Sequence, residues 1–360
     1  MAASDPAPAR LSWPALALAV FWAVVLGTVG LTVVVLALLG APSPPTPAKN
    51  AATHLAAGEA RGGGTAPAMN TAPARAPTPG VAIAAPDAAL SEPAPDYPGA
   101  FLPRIGPDGR PPRILYAGGT DPNDRRPRIG LVLSGIGLSG EESRAAIDDL
   151  PAAVTLAFSP YAAAAEPLLA AARARGHEIL LSLPLEPQNY PLNDAGPETL
   201  LTGAPAAENA RRLEWVLSRI TGYAGTTGAL GGLHGERFAA QSVTFSLLQR
   251  DLARRGLFYI DPRPGAPAPA DIPGRAIDLI IDSPPSEAAI SAALDQLADR
   301  ALAHGSALGL ADLPRPVTVA RIAAWAGTLA SRGLALVPAS ALIVMPPATA
   351  GKPEMVTHGE

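Results

Sequence analysis

Cysteine is absent from this 360-residue chain, and lysine is nearly absent. Without a thiol the protein cannot form a disulfide, a thiolate nucleophile, a cysteine-ligated zinc or iron–sulfur site, or a cysteine-linked lipid anchor. The two lysines, Lys49 and Lys352, stand in Pro- and Ala-rich flanks, so a mechanism that needs a Schiff-base lysine has no candidate. Any chemistry must therefore use Asp, Glu, His, Ser or Arg.

An excess of positive charge is also missing, and histidine is scarce. Lys plus Arg number 27 against 31 Asp plus Glu, which gives a net charge of -4. Proteins that bind phosphate backbones carry a basic footprint, so we expect no nucleic-acid partner. Of the five histidines, three lie outside the flanks: His177, His234 and His304. The positions of His177 and His304 favour capping or surface roles.

An uncharged segment near the N-terminus predicts a membrane anchor. No residue from Leu11 to Ala48 is charged, and the part from Trp13 to Leu39 is almost continuously apolar. It is longer than the roughly 20 residues that span a bilayer. We therefore expect a short tail (1–12) and a transmembrane helix (13–40), giving a single-pass membrane protein whose folded domain is periplasmic. A cleaved signal peptide is the alternative.

Residues 41–127 are rich in Pro, Ala, Gly, Ser and Thr, with no sustained periodicity. Such a composition cannot bury enough apolar surface to offset the entropy of ordering, so a disordered linker is expected. The apolar content rises between Phe101 and Tyr116, which indicates a segment that docks on the folded domain. The last residues, 346–360, are expected to form a flexible tail.

From residue 128 to 345 short aliphatic runs alternate with helical patterns, which is typical of a parallel α/β fold. Several helical segments end in Arg-Gly or His-Gly, where glycine supplies the left-handed residue that ends a helix. Seven to eight such units favour a deformed (β/α) barrel, with a doubly wound open sheet as the alternative. The predicted strands are 129–134, 153–158, 178–183, 228–232, 256–261, 276–282, 306–310 and 333–338.

Residues 176–187 of this domain read Gly-His-Glu-Ile-Leu-Leu-Ser-Leu-Pro-Leu-Glu-Pro. This run resembles the divergent polysaccharide deacetylase family, envelope proteins related to metal-dependent carbohydrate esterases. Further similar stretches are 128–138, 154–161, 254–261 and 336–340, so the resemblance covers the whole domain. It implies a deformed barrel and a divalent metal held by carboxylate and imidazole at the C-terminal ends of the strands.

The metal ligands that the resemblance implies are missing from this sequence. Ser134 and Gly135 stand where the family has an Asp-Asp pair, Ser182 where it has a histidine, and Leu310 where it has the histidine of a late Gly-His pair. His234 is displaced by one residue from a family position. Asp261 and Asp282 alone persist at positions that the family uses. We therefore expect no bound metal and no cofactor.

Two functions remain open on these residues. The favoured interpretation is a non-catalytic homologue that binds cell-envelope polysaccharide, peptidoglycan or an envelope protein. The alternative is an active carbohydrate deacetylase or hydrolase with a rearranged site that uses Asp261, Asp282 and His234, with Glu186 as a further acid. All four follow predicted strands, so they are the candidate site residues under either interpretation.

Overall fold

The computed structural model describes residues 80–346. Within this range the strands are β1 (Ser91–Pro93), β2 (Phe101–Pro103), β3 (Arg128–Ile136), β4 (Thr155–Phe158), β5 (Ile179–Ser182), β6 (Gly225–Thr227), β7 (Phe258–Asp261), β8 (Gly274–Ala276), β9 (Leu279–Ile280), β10 (Ser306–Ala311) and β11 (Ala335–Val337). The helices are α1 (Pro112–Leu115), α2 (Gly140–Asp149), α3 (Ala165–Arg175), α4 (Ala206–Leu217), α5 (Glu236–Ala239), α6 (Ser242–Arg254), α7 (Glu287–His304) and α8 (Pro316–Ala326).

Helix boundaries follow local chemistry. The side chain of Ser139 accepts a hydrogen bond from the amide of Glu142 at the start of α2, and Ser286 does the same for Ala289 at the start of α7. These contacts satisfy amides that a helix leaves unpaired at its first turn. Helix α3 ends at Gly176, which adopts a left-handed conformation as the Arg-Gly pattern predicts.

The domain is built on a curled parallel sheet. Its described strands follow the order β8-β7-β6-β5-β4-β3-β10-β9, and β11 pairs with β3 outside this path. One face packs against the helices, while the other forms an inner core that contains Val132, Leu180, Ile260 and Leu308. The expected α/β class and parallel sheet are confirmed, and the curl agrees with a deformed barrel.

Two of the predicted strands differ from those observed. The segment predicted as one strand, 276–282, instead contributes to β8 and β9, which pair with β7 and β10 at opposite ends of the sheet order. The strand predicted at 228–232 is wrong, since β6 lies at Gly225–Thr227. Gly231 and Gly232 have φ values of 55° and 88°, which no strand accommodates, and they form part of a loop instead.

Residues 80–127, expected to be disordered linker, are ordered against the domain; we call them the N-terminal strap. The amide of Ile83 donates to the carbonyl of Arg173 (2.9 Å), and that of Arg113 donates to the carbonyl of Gly256 (3.1 Å). Leu90 and Tyr116 are buried in the inner core of the barrel. The prediction of disorder is therefore wrong for this part, because composition alone does not reveal apolar side chains that another segment buries.

A buried carboxylate fastens the strap and the C-terminal segment to the sheet. Glu178 accepts hydrogen bonds from the amide of Gly118 (3.0 Å), the amide of Ser340 (3.1 Å) and the hydroxyl of Thr155 (3.1 Å). Burial raises the pKa of Glu178, and these donors act in the opposite direction. His177, beside it, is also buried: its ring nitrogens contact backbone carbonyls, so a surface role for it is wrong.

Several expectations fall on residues outside 80–346. These are the N-terminal tail, the transmembrane helix at 13–40, the linker from 41 to 79 and most of the C-terminal tail. Within the described residues, no helix combines the length and apolar character needed to cross a membrane.

Candidate functional site

The C-terminal ends of the strands and the loops that follow them form one edge of the sheet, which we call the mouth. Ser134, near the end of β3, is fully buried there. Its hydroxyl donates to the backbone carbonyl of Asp312 (2.8 Å) and accepts from the amide of Gly231 (3.3 Å). Where the resemblance implies an acidic metal ligand, a serine thus ties the loop after β6 to the loop after β10.

Gly135, the second position of the implied Asp-Asp pair, has no room for a side chain. Its φ is 75°, a backbone conformation that L-residues rarely adopt. A β-carbon there would stand 2.7 Å from Cδ2 of Leu313 and 3.1 Å from the carbonyl oxygen of Asp312. The side chain of Leu313 therefore fills space next to the position of the missing carboxylate.

The two implied histidine positions are buried as well. Leu310 belongs to the inner core of the barrel. The hydroxyl of Ser182 is buried and has no hydrogen-bond partner among residues 80–346. Within this part of the chain, no three His, Asp or Glu side chains are grouped so that they could hold a metal ion. The residues at the mouth do not fit the metal that the resemblance implies.

His234 forms an ion pair across the mouth. Its Nε2 lies 2.8 Å from a carboxylate oxygen of Asp312, and its Nδ1 lies 3.5 Å from Glu236. Burial lowers the pKa of His234, but hydrogen bonds to both carboxylates outweigh it and raise the pKa to about 9. The hydrogen bond to His234 lowers the pKa of Glu236 to about 2. At neutral pH the paired imidazole is therefore a cation, and a general base must be unprotonated.

Asp261, the last residue of β7, is paired with Arg263. The guanidinium donates through Nε to one carboxylate oxygen (2.9 Å) and through Nη2 to the other (2.6 Å). The backbone amide of Arg263 donates to the same carboxylate (3.1 Å). A bidentate pair of this kind satisfies both oxygens of a buried carboxylate.

Asp282, after β9, shapes the loop that follows β10. It accepts hydrogen bonds from the amides of Asp312 (2.9 Å) and Leu313 (3.4 Å), and Nη1 of Arg315 lies 3.4 Å away. Burial raises the pKa of Asp282, and the backbone hydrogen bond from Asp312 opposes this effect. Because β7 and β9 are not adjacent, Asp261 and Asp282 do not end neighbouring strands.

Glu186, in the loop after β5, also forms an ion pair and accepts a backbone hydrogen bond. Its carboxylate lies 3.0 Å from Nε of Arg237 and accepts a short hydrogen bond from the amide of Thr202. Its backbone carbonyl accepts from the amide of Phe238. Glu186 thus connects the loop after β5 to helix α5.

Comparison with known proteins agrees with this architecture. The divergent polysaccharide deacetylase family matches residues 131–343. An uncharacterized protein from Agrobacterium tumefaciens is 36% identical, with a TM-score of 0.62 over 68% of this chain and 99% of its own. The chain belongs to the divergent polysaccharide deacetylase family. This confirms the resemblance found around Gly176–Pro187.

A second solved structure is less similar to this chain. The catalytic domain of a peptidoglycan N-acetylglucosamine deacetylase from Eubacterium rectale is 13% identical, with a TM-score of 0.42 over 64% of this chain and 95% of that domain. Among curated proteins, none matches.

The structure brings some of the candidate residues together and separates others. His234 and Asp282 belong to one network because both contact Asp312. Asp261 and Glu186 are held by arginines of their own. Arg263 pairs with Asp261, Arg237 binds Glu186, and the partner of Asp282 is Arg315.

An apolar cavity lies between helices α4 and α6. Its volume is about 370 Å³, and Leu213, Leu217 and Leu248 contribute to its walls. The four candidate site residues do not line it.

Proposed function

We propose that this member of the divergent polysaccharide deacetylase family is a cell-envelope protein that binds glycan at the mouth and does not carry out metal-dependent hydrolysis. The observation that carries the proposal is the occupation of the implied metal site. Ser134 and Leu313 fill the position of the acidic ligand pair, and Leu310 takes the place of a histidine. A hydrolytic metal centre usually needs three protein ligands and an open position.

The acid and base candidates support the same conclusion. A general acid or base must be free to exchange a proton with substrate. Asp261, Asp282, Glu186 and His234 instead hold loops together through ion pairs and backbone hydrogen bonds. Such a set of fixed polar groups along the mouth suits hydrogen bonding to sugar hydroxyls, which needs no proton transfer.

Location in the envelope forms part of the proposal. The apolar stretch from Trp13 to Leu39 would anchor the chain in the membrane, with the domain on the periplasmic side, where peptidoglycan and other polysaccharides are accessible. The strap begins at Gly80, so about 40 residues separate this stretch from the first described residue. An extended segment of that length could cover a distance of roughly 130 Å.

The test is cosedimentation of the full chain with purified peptidoglycan, together with an assay for released acetate. We expect binding without acetate release. His234→Gln should weaken binding because it loosens the loops after β6 and β10, whereas His304→Gln, at the exposed end of α7, should leave binding unchanged. Acetate release that a chelator abolishes would refute the proposal and support the deacetylase.

A further inference from the structure

Three acid–arginine pairs of the mouth share an orientation: the acid is buried and the arginine is the more exposed partner. The side chains of Glu186, Asp261 and Asp282 are 4%, 1% and 0% exposed. Their partners Arg237, Arg263 and Arg315 are 53%, 25% and 37% exposed. In each of these three pairs a ligand therefore meets the guanidinium before it meets the carboxylate.

Two of these arginines stand at the ends of one continuous chain of contacts. Arg315 contacts Asp282, which accepts from the amide of Asp312, and the side chain of Asp312 pairs with His234. His234 contacts Glu236, the residue that precedes Arg237 on α5. The guanidiniums are thus positioned by a connected set of loops, and each is oriented by an acid behind it.

Each guanidinium retains unused donors. Among residues 80–346, Arg237 contacts an acid only through Nε, Arg315 only through Nη1, and Arg263 through Nε and Nη2. The remaining N–H groups have no protein acceptor in this part of the chain. A planar guanidinium offers a carboxylate two parallel hydrogen bonds, which a neutral hydroxyl cannot accept.

Building on the proposed function, we propose that the mouth selects glycans that carry a carboxylate, with Arg237 and Arg315 as the residues that recognise it. The network that holds Arg237 and Arg315 contains four carboxylates against three cations, the third of which is His234. A multiply charged phosphate would therefore be repelled more strongly than an anion with a single charge. A single carboxylate on a sugar ring gains the guanidinium contacts with less repulsion.

The experiment compares two disaccharides that differ in one group. The first joins N-acetylglucosamine to N-acetylmuramic acid, and the second is the same molecule with its carboxylate reduced to an alcohol. Titration of the full chain should give at least about tenfold tighter binding of the acid, the size expected for one charge-assisted hydrogen-bonded contact. Higher salt should reduce the difference in affinity between the two disaccharides, because the arginine side chains that contact the carboxylate are partly exposed.

Variants assign the preference to particular residues. The double variant Arg237→Gln, Arg315→Gln should bind the two disaccharides within about twofold of each other. Arg237→Lys keeps the charge but loses the planar pair of donors, so it should show an intermediate preference even if the double variant folds poorly. Arg254→Gln is the matched control: Arg254 is an exposed, acid-paired arginine on α6, away from the mouth.

Different results would count against the preference for a carboxylate and against glycan binding. Equal affinity of the wild type for the two disaccharides would overturn the inference while leaving glycan binding intact. Binding of neither disaccharide would count against the proposed function itself. A preference for the acid that survives in the double variant, or that is lost equally in Arg254→Gln, would overturn the assignment to Arg237 and Arg315.

Discussion

His234 and Asp312 lie 2.8 Å apart although their loops follow strands that are separated by three others in the sheet. The pair therefore crosses the mouth of the curled sheet. Ser134 joins the same two loops through the carbonyl of Asp312 and the amide of Gly231. In this family member, two polar links close the region where the resemblance implies a metal.

The ion pair predicts a dependence of stability on pH. The pKa of His234 rises from 6.5 to about 9 on folding, so its stabilising effect is complete below pH 6.5 and is lost as the pH passes 9. The shift corresponds to at most about 3 kcal/mol of unfolding free energy. Urea unfolding between pH 6 and 10 should show this loss in the wild type. In His234→Gln the curve should be flatter, and parallel curves would contradict the assigned pairing.

Gly135 provides a test of the filled metal position. Gly135→Ala should lower the free energy of unfolding by about 1–3 kcal/mol, because it combines a positive φ with a contact to Leu313. Gly140→Ala is the control, since a β-carbon at that helical position meets nothing within 4 Å. Thermal melts of both variants measure the difference. A neutral Gly135→Ala would mean that the loop after β10 yields easily, leaving room for a ligand.

Removal of the strap should destabilise the domain. A fragment of residues 80–346 retains Leu90, Leu102 and Tyr116, whereas a fragment that starts at residue 125 exposes the core they cover. Burial of three such side chains contributes on the order of 5 kcal/mol, a large share of the stability of a domain. We expect cooperative melting of the longer fragment only. Equal melting temperatures would show that the strap is dispensable.

The bidentate pair at the end of β7 should contribute to stability. Asp261→Asn removes the charge that faces Arg263 and should lower the free energy of unfolding by about 2 kcal/mol or more. Asp295, on α7, forms an exposed pair with Arg332. Asp295→Asn breaks that pair and should change the free energy of unfolding by less than about 1 kcal/mol. Chemical denaturation distinguishes the two variants. A similarly small loss of stability in both variants would mean that the pair of Asp261 with Arg263 does not stabilise the domain.

Much of the barrel could be predicted because its strands and helix ends are indicated by short stretches of sequence. Buried strands such as β3 and β10 are continuous aliphatic runs, and Gly176 and Gly305 end helices through their backbone freedom. The rise in apolar content between Phe101 and Tyr116 indicated a docked segment, and Leu102 and Tyr116 are buried. The order of the rest of the strap was missed because its apolar residues are few and pack against distant parts of the chain. Local periodicity also could not show that β8 and β9 pair with different neighbours.

The candidate site was partly accessible to sequence reasoning. The replacement of ligands by Ser134, Gly135 and Leu310 follows from the family pattern position by position. The partners of the acids do not, because the choice among Arg237, Arg263 and Arg315 depends on how loops after different strands meet. The contact between His234 and Asp312 joins residues 78 positions apart, and no spacing rule predicts it.

The central claim is that this family member binds envelope glycan without a metal. The most direct measurement is calorimetric titration of the full chain with the disaccharide of N-acetylglucosamine and N-acetylmuramic acid, once with excess chelator and once with added zinc. We expect one binding site with the same dissociation constant under both conditions. Binding that requires zinc and disappears with chelator would contradict this expectation.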